Sequence, residues 1–215
     1  MLYYNTVNNI LKFTLHKIMK EEVFSEFRLV GGTSLSLQLG HRISVDIDLF
    51  TDAAYGSIDF NKIENYLNNN FPFVEYFSDV PVAFGKSYQI GKNRNESVKL
   101  DIFYTDNFIK DFISVDEIRL ATIEEIVAMK LDVIQRGGRK KDFWDIHELI
   151  EIFTFREMLF LHKQRYPYTH DEDLIIENFT NFSIADEDFE PICLRGKYWE
   201  FIKDDLIIFV NQSGK

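Results

Sequence analysis

Two aspartates spaced two residues apart are the first feature of this sequence that could do chemistry. Asp46 and Asp48 alternate with three apolar residues, Val45, Ile47 and Leu49. This alternation is typical of a β-strand with one buried face, so the apolar side chains are predicted to point into the core. The two carboxylates then share the other face, about 6.6 Å apart. Paired carboxylates on one face can bind Mg²⁺, whereas a solvated polar face is the alternative interpretation.

A third carboxylate stands in another alternating run, SVKLDIF, at residues 97–103. Asp101 leaves this predicted strand toward its polar face, while the neighbouring apolar residues pack. If the strand lies beside the one that carries Asp46 and Asp48, three carboxylates converge. Two-metal nucleotidyl transfer needs that number: two carboxylates bridge the metals that hold the triphosphate, and the third binds the second metal and deprotonates the attacking hydroxyl.

A double glycine lies just before the aspartate pair, between the apolar run FRLV and the short helical pattern SLSLQL. A strand that ends in two glycines and turns into a helix presents main-chain N–H groups at the positive end of the helix dipole. Thr33 or Ser34 is predicted to cap this helix, and an ordinary tight turn is the alternative. The predicted phosphate-binding residues are Gly31, Gly32, Thr33 and Ser34.

The first 120 residues show the mixture of strands and helices that would position these side chains. Apolar periodicity predicts helices over 6–24 and 58–69, and Gly40 is predicted to end the short helix that precedes the aspartates. FRLV and SVDIDLF are predicted strands, while SYQI and SVKLDIF are predicted to form a hairpin. Pro81 interrupts FVEYFSDVPVAF, which predicts two short strands or one edge strand.

From Thr122 onward the pattern changes to long helices. They are predicted over 122–136, 141–163, 172–180 and 197–209. The sequence therefore predicts a mixed α/β fold in which an α/β core, residues 1–120, precedes a helical C-terminal region, residues 121–215.

Composition limits the classes of partner and compartment. The 215 residues are 46% apolar, which is enough to bury a full core, and the net charge is −11. Such an acidic chain argues against broad electrostatic attraction to nucleic acid or to an anionic membrane, so any basic binding surface must be local. A single cysteine, Cys193, and an N-terminus without a signal-peptide pattern predict a cytoplasmic protein with no membrane partner.

The motifs together resemble a known superfamily. The order strand, Gly-Gly-Thr-Ser, short helix, Asp-Ile-Asp and a later Leu-Asp-Ile strand resembles the nucleotidyltransferases that include polymerase β-like enzymes. The segment ATIEEIVAMKLDVIQRGGRKKDFWDIHEL resembles the C-terminal signature of AbiEii/AbiGii-type nucleotidyltransferases, the toxins of type IV toxin–antitoxin pairs. The resemblance covers residues 27–150. It implies a nucleotidyltransferase-like mixed sheet with flanking helices and a helical region that closes the cleft.

The same resemblance implies the activity and the partners. The expected reaction is the transfer of a nucleoside monophosphate from an NTP to a hydroxyl, with two Mg²⁺ ions as cofactor. A cognate antitoxin regulator is the expected protein partner. The glycine turn would bind the β- and γ-phosphates, Asp46 and Asp48 would bind Mg²⁺, and Asp101 would complete the site as base.

Lys130 interrupts the apolar stripe of the helix that follows the capping box Thr122 and Glu125. Its position between Ile123 and Ile134 should direct it inward, where an unpaired ammonium is costly and needs an anion. The alternative is that the side chain extends along the apolar surface to water. The resemblance to the family implies that Lys130 contacts the nucleotide's phosphates.

Asp142 stands at the start of the next predicted helix, where a negative charge is favoured by the helix dipole. The resemblance implies instead that it belongs to the active site. By the same resemblance, Asp145 matches a second acidic position with a structural role, that of holding Arg136 or Arg139.

The densest basic cluster of the chain comprises Arg136, Arg139, Lys140 and Lys141. A solvated turn between helices is one interpretation, and a clamp for the acceptor is the other. Our hypothesis is that the clamp holds the 3′ end of an RNA such as tRNA through a few phosphates. Four alternatives stay open: a small-molecule acceptor such as an aminoglycoside, a protein acceptor, a non-catalytic nucleotide-binding member, and a structural or interaction protein.

Overall fold

The computed structural model describes residues 1–77 and 84–213. The chain forms two compact units. The sheet unit comprises Met1–Gly40, Ser44–Asn107 and Phe112–Ala121, and the helical unit comprises His41–Ile43, Phe108–Asp111 and Thr122–Lys215. The functional roles predicted for residues 1–120 and 121–215, a core and a region that completes its cleft, stay predictions.

The sheet unit contains a mixed sheet whose strands follow the order β3-β4-β5-β2-β1-β7-β6. β2 pairs in parallel with β5, and β1 with β7, whereas the other neighbouring strands are antiparallel. This arrangement confirms the predicted mixed α/β fold. The strands are β1 (Arg28–Leu29), β2 (Asp46–Thr51), β3 (Phe73–Tyr76), β4 (Gly85–Asn93), β5 (Glu96–Tyr104), β6 (Ile113–Val115) and β7 (Ile118–Leu120).

Three α-helices accompany these strands among the described residues of the sheet unit: α1 (Asn9–Met19), α2 (Gly31–Leu39) and α3 (Phe60–Asn70). The inward stripe of α1 carries Leu11, Leu15 and Ile18, all buried. It packs against β2, β5 and β7. Burial of these apolar faces places the hydrophobic core between helix and sheet and leaves the alternate, polar positions of the strands for chemistry.

Several helices and strands of the sheet unit differ in their boundaries from those that the sequence predicts. The hairpin of β4 and β5 is confirmed, and Gly40 ends α2 in the left-handed conformation with φ 73°. The helix predicted over 6–24 is shorter, and the hairpin of β6 and β7 was not predicted. Val45 was predicted to be buried in the strand but is 57% exposed, because β2 begins only at Asp46, the residue after it. Pro81, used to predict two short strands or one edge strand, lies outside the described residues.

The helical unit is built from α4 (Ile123–Gln135), α5 (Lys140–Leu149), α6 (Phe155–Arg165), α7 (Glu172–Phe179), α8 (Ser183–Asp186) and α9 (Trp199–Ser213). The single helix predicted over 141–163 is wrong: it is two helices, α5 and α6. Thr154 is the N-cap of the second one, which begins at Phe155, and its side chain and that of Glu157 form a reciprocal capping box.

The segment His41–Ile43 joins the helical unit through main-chain bonds. Ile43 N donates to Ile192 O at 2.9 Å, and Leu194 N donates to His41 O at 2.8 Å. These bonds form an antiparallel bridge between Arg42 and Cys193. In the described part of the chain, no helix is long and apolar enough to cross a membrane.

Candidate active site

The parallel pairing of β2 with β5 brings the predicted carboxylates onto one face of the sheet. Asp48 lies directly opposite Asp101, and Asp46 lies opposite Lys99. Ile47 and the other alternate residues of β2 are buried, so the charged side chains share the opposite face. The structure therefore brings together Asp46, Asp48 and Asp101, which the sequence predicted only on condition that the two strands are neighbours.

Lys99 is a charged member of this face that the sequence analysis did not single out. Its Nζ donates to Asp101 Oδ2 at 2.5 Å. Burial lowers the pKa of Lys99, but the hydrogen bond with Asp101 and the charges of Asp101, Asp46 and Asp48 raise that pKa above its ordinary value overall. Its position two residues before Asp101 on an alternating strand was the signal that could have identified it.

The other oxygen of Asp101 is unusual. Oδ1 is buried and has no hydrogen-bond partner among the described residues. A buried carboxylate oxygen without a donor is costly, whereas a cation would satisfy it. No group of three or more His, Cys, Asp or Glu side chains in residues 1–77 and 84–213 is arranged to hold a metal ion. The residues therefore fit an open Mg²⁺ site, in which the carboxylates are completed by water and substrate phosphate, rather than an all-protein cage.

Gly31 brings the main chain against the second carboxylate of the pair. It is the first residue of α2 and has φ +67°, and a Cβ atom there would lie 2.8 Å from Asp48 Oδ2. Only glycine tolerates both the backbone conformation and this approach. Val30 N donates to Asp48 O at 2.9 Å, which fixes the start of the helix beside β2.

The prediction that Thr33 or Ser34 caps α2 is wrong, because the helix begins at Gly31 and Val30 provides no side-chain cap. Thr33 and Ser34 are buried. Thr33 Oγ1 donates to Asp46 O at 2.5 Å and lies 2.7 Å from Ser44 Oγ. Ser34 Oγ accepts from Gln38 Nε2 at 3.1 Å. Both hydroxyls thus have protein partners, and Ser34 N donates to Val30 O at 3.4 Å. Any phosphate contact of this turn therefore falls to the main-chain N–H groups that precede Ser34.

Lys130 lies in a buried charge cluster of the helical unit. Its Nζ is 2.6 Å from Asp142 Oδ1 and 2.6 Å from Asp145 Oδ2. Burial lowers the pKa of Lys130, but the charges of Asp142 and Asp145 raise it overall. Because Lys130 is only 6% exposed, the alternative that its side chain extends to water is wrong. The anion that its position demands is supplied by the protein.

Asp145 is the centre of this cluster. Its Oδ1 accepts from Arg42 Nε at 2.6 Å and lies 2.7 Å from His41 Nε2, while Oδ2 accepts from Arg42 Nη2 at 2.8 Å. Burial raises the pKa of Asp145, but the charges of Arg42 and Lys130 and the hydrogen bonds from His41 and Arg42 hold it well below its ordinary value.

The expectation that Asp145 holds Arg136 or Arg139 is therefore wrong. Besides Lys130, its partners are His41 and Arg42, about a hundred residues earlier, which no local pattern could indicate. Asp142 has two roles: Oδ1 pairs with Lys130, and Oδ2 accepts from Arg139 N at 3.1 Å at the start of α5. The interpretation of Asp142 as a helix N-terminal charge is thus compatible with its contact to Lys130.

The four residues of the predicted basic clamp do not share one environment. Arg136 pairs with Asp132, and Arg139 lies 3.3 Å from Asp188. Lys140 is buried, with its Nζ 5.5 Å from the centre of the Trp199 ring and 3.5 Å from Asp186 O. Lys141 is partly exposed. Lys140 is therefore occupied by its own unit, and the accessible basic groups are Arg136, Arg139 and Lys141.

Comparison with known proteins identifies the family. Residues 14–212 match the family model described as nucleotidyl transferase AbiEii toxin, type IV toxin–antitoxin system. An uncharacterized protein of Aquifex aeolicus is 25% identical in an alignment of 216 positions, gaps included, that covers 88% of this chain and 89% of that protein. The family match confirms the resemblance noted from the motifs.

Solved structures share the fold. A Helicobacter pylori protein assigned as a nucleotidyltransferase superposes with TM-score 0.60 and 17% identity, covering 94% of this chain and 91% of its own. MenT4, a nucleotidyltransferase toxin from Mycobacterium tuberculosis, gives TM-score 0.58 and 13% identity, covering 92% and 79%. The chain therefore belongs to the nucleotidyl transferase AbiEii toxin family of type IV toxin–antitoxin systems, a membership that makes it a nucleotidyltransferase and implies a cognate antitoxin as its partner.

Proposed function

We propose that the protein carries out Mg²⁺-dependent transfer of a nucleoside monophosphate from an NTP to a hydroxyl acceptor at the carboxylate face of β2 and β5. The observation that carries this proposal is the direct register of Asp48 with Asp101 on one face, with Gly31 against the Asp48 carboxylate. Asp46, Asp48 and Asp101 would hold the metal, and the turn at Gly31–Ser34 would bind the phosphates.

The chain's own groups have separate tasks in this reaction. Asp101, whose side chain is 16% exposed, would take the proton of the attacking hydroxyl. The hydroxyl oxygen then bonds to the α-phosphorus, the bond to the β-phosphate oxygen breaks, and pyrophosphate leaves with that electron pair. Bound Mg²⁺ would neutralise the triphosphate and the charge that develops on the leaving group.

The first test removes one carboxylate of the pair. Asp48→Asn should abolish Mg²⁺-dependent transfer and leave the free energy of unfolding unchanged or slightly higher, because repulsion between Asp48 and Asp101 is removed. Transfer is measured with radiolabelled NTP, and stability by urea unfolding. Asp106→Asn, at an exposed position just after β5, is the control and should retain activity. Normal transfer by Asp48→Asn would exclude this residue from the mechanism.

A second test uses the close approach of Gly31. Gly31→Ala should reduce Mg²⁺-NTP binding, because the new Cβ would lie 2.8 Å from Asp48 Oδ2 and force that carboxylate to move. The matched control is Gly56→Ala, since Gly56 also has a positive φ, +83°, but nothing lies within 4 Å of its added Cβ. Calorimetric titration of both variants separates the effect of the contact from that of backbone strain. Equal nucleotide affinity in the two variants would contradict a role for Gly31 at the site.

Lys130 is proposed to contact a phosphate in addition to its structural role. An ammonium has three N–H donors, and two of those of Lys130 are used by Asp142 and Asp145. One donor is left for the contact that the family resemblance implies. The structural role is the larger one energetically, because removing one partner of a buried ion pair leaves an uncompensated charge.

Lys130→Met should therefore lower the free energy of unfolding by about 3 kcal/mol at neutral pH. The difference in the free energy of unfolding from the wild type should narrow as the pH falls below about 4. Asp145 has a lower pKa in the folded than in the unfolded protein, so its ionised form stabilises the fold above the unfolded-state pKa, and this stabilisation is lost progressively at lower pH. Urea unfolding between pH 7 and pH 3 measures both effects. Lys62→Met, whose side chain is 76% exposed, should change stability by less than about 0.5 kcal/mol. A fully stable Lys130→Met protein would contradict the structural role.

The proposed acceptor is the 3′ end of an RNA such as tRNA. Support comes from the accessible groups of the basic turn, since the side chains of Arg136 and Arg139 are 63% and 60% exposed. Each would have to exchange its aspartate partner for a phosphate. Because few groups are available in a chain of net charge −11, the salt dependence should be shallow, with a slope of about −0.7 per phosphate neutralised.

Changing Arg136, Arg139 and Lys141 together to Ser should reduce labelling of RNA by radiolabelled NTP and leave NTP binding intact. The control changes three other exposed basic residues, Lys62, Arg94 and Arg156, and should label RNA normally. If none of the four NTPs labels RNA and the label enters only a protein or a small molecule, the RNA proposal is wrong and that molecule is the acceptor.

A further inference from the structure

One basic side chain stands among the three carboxylates of β2 and β5. Lys99 lies opposite Asp46 and two residues before Asp101, which lies opposite Asp48. Residues two apart on a strand share a face, so these four side chains form a two-by-two arrangement of three negative charges and one positive charge. The local charge is therefore −2 when Lys99 is present and would be −3 without it.

The two carboxylate oxygens of Asp101 differ in their contacts, because Lys99 contacts only one of them. Nζ lies 2.5 Å from Oδ2, whereas Oδ1 is buried without a hydrogen-bond partner in the described part of the chain. The side chain of Lys99 is 42% exposed and that of Asp101 is 16% exposed. The ammonium can therefore withdraw toward water on its flexible stem, while the carboxylate stays in place.

We infer that Lys99 is a positioning residue that neutralises Asp101 while no divalent cation is bound and competes with Mg²⁺ for that carboxylate. The inference rests on the proposed function, because it assigns Lys99 a role toward the metal that Asp48 and Asp101 would bind. In the metal-free protein, the ammonium reduces repulsion among carboxylates that face one another across adjacent strands. It thereby weakens the binding of Mg²⁺ alone.

This competition couples the metal to the nucleotide. Mg²⁺ keeps several water ligands and is usually bound by one or two carboxylates together with substrate phosphates. A triphosphate supplies the additional oxygens that make displacement of Lys99 favourable. The site would then take up Mg²⁺ together with NTP and hold little Mg²⁺ without it. Between reaction cycles, the ion pair with Lys99 would keep the Asp101 carboxylate in place.

The test is to measure Mg²⁺ binding without nucleotide. Lys99→Met keeps the apolar stem and deletes the charge, so Mg²⁺ should bind about tenfold more tightly in calorimetric titration. The Tm of this variant should fall below that of the wild type in EDTA, and the difference should shrink in Mg²⁺. Lys99→Arg keeps the charge and should restore the wild-type affinity for Mg²⁺. If Lys99→Met does not fold, Lys99→Gln provides the same measurement with a hydrogen bond to Asp101 retained.

Lys86→Met is the matched control, because Lys86 Nζ lies 2.5 Å from Glu64 Oε1 in the same sheet unit. Its Tm should fall equally in EDTA and in Mg²⁺, and its affinity for Mg²⁺ should not change. The same pattern in Lys99→Met would overturn the inference and leave Lys99 with a merely structural ion pair.

The failure of this inference is distinguishable from failure of the proposed function. Unchanged Mg²⁺ affinity in Lys99→Met, together with transfer that is lost in Asp48→Asn, overturns the role of Lys99 alone. Transfer retained in Asp48→Asn overturns the metal site, and with it the role of Lys99.

Discussion

The parallel pairing of β2 with β5 is the constraint on which the carboxylate face depends. It places Asp48 beside Asp101 although 52 intervening residues separate them in the sequence, and it does so through main-chain hydrogen bonds rather than through the carboxylates themselves. A slip of one residue in this register would turn Asp101 into the core and Ile102 out of it. The buried Leu100 and Ile102 prevent that slip, so the apolar face of β5 fixes the geometry of the polar face.

The helical unit contains, besides its buried apolar residues, a balanced set of buried charges. Lys130 and Arg42 carry two positive charges, and Asp142 and Asp145 carry two negative ones, all buried. Burying these groups is costly unless each charge is paired and hydrogen-bonded, and the distances of 2.6 to 2.8 Å show that each is. Lys130 and Asp142, for which active-site roles are proposed, are thus also fixed by ion pairs within their own unit.

The sequence predicted those features that depend on local pattern. Alternation indicated the strands of Asp46 and Asp101, and Gly40 indicated the end of α2. It could not predict that Asp145 meets His41 and Arg42, or that Lys140 packs on Trp199, because those partners lie far away in the chain and carry no periodic signal. Val45 and the split of 141–163 into α5 and α6 show the usual uncertainty of element boundaries. Lys99 lies in the same alternating run as Asp101, but the alternation alone does not distinguish it from a lysine exposed to solvent.

The short segment His41–Ile43 means that the helical unit is discontinuous in sequence. A fragment beginning at Thr122 would contain Asp145 and Lys130 but would lack the arginine and the histidine that complete their cluster. During synthesis on the ribosome, those two residues emerge about a hundred positions before the carboxylate that they bind. Residues 122–215 alone therefore lack two partners of the buried Asp145, and an exchange of C-terminal regions between relatives would have to include this N-terminal segment to preserve the cluster.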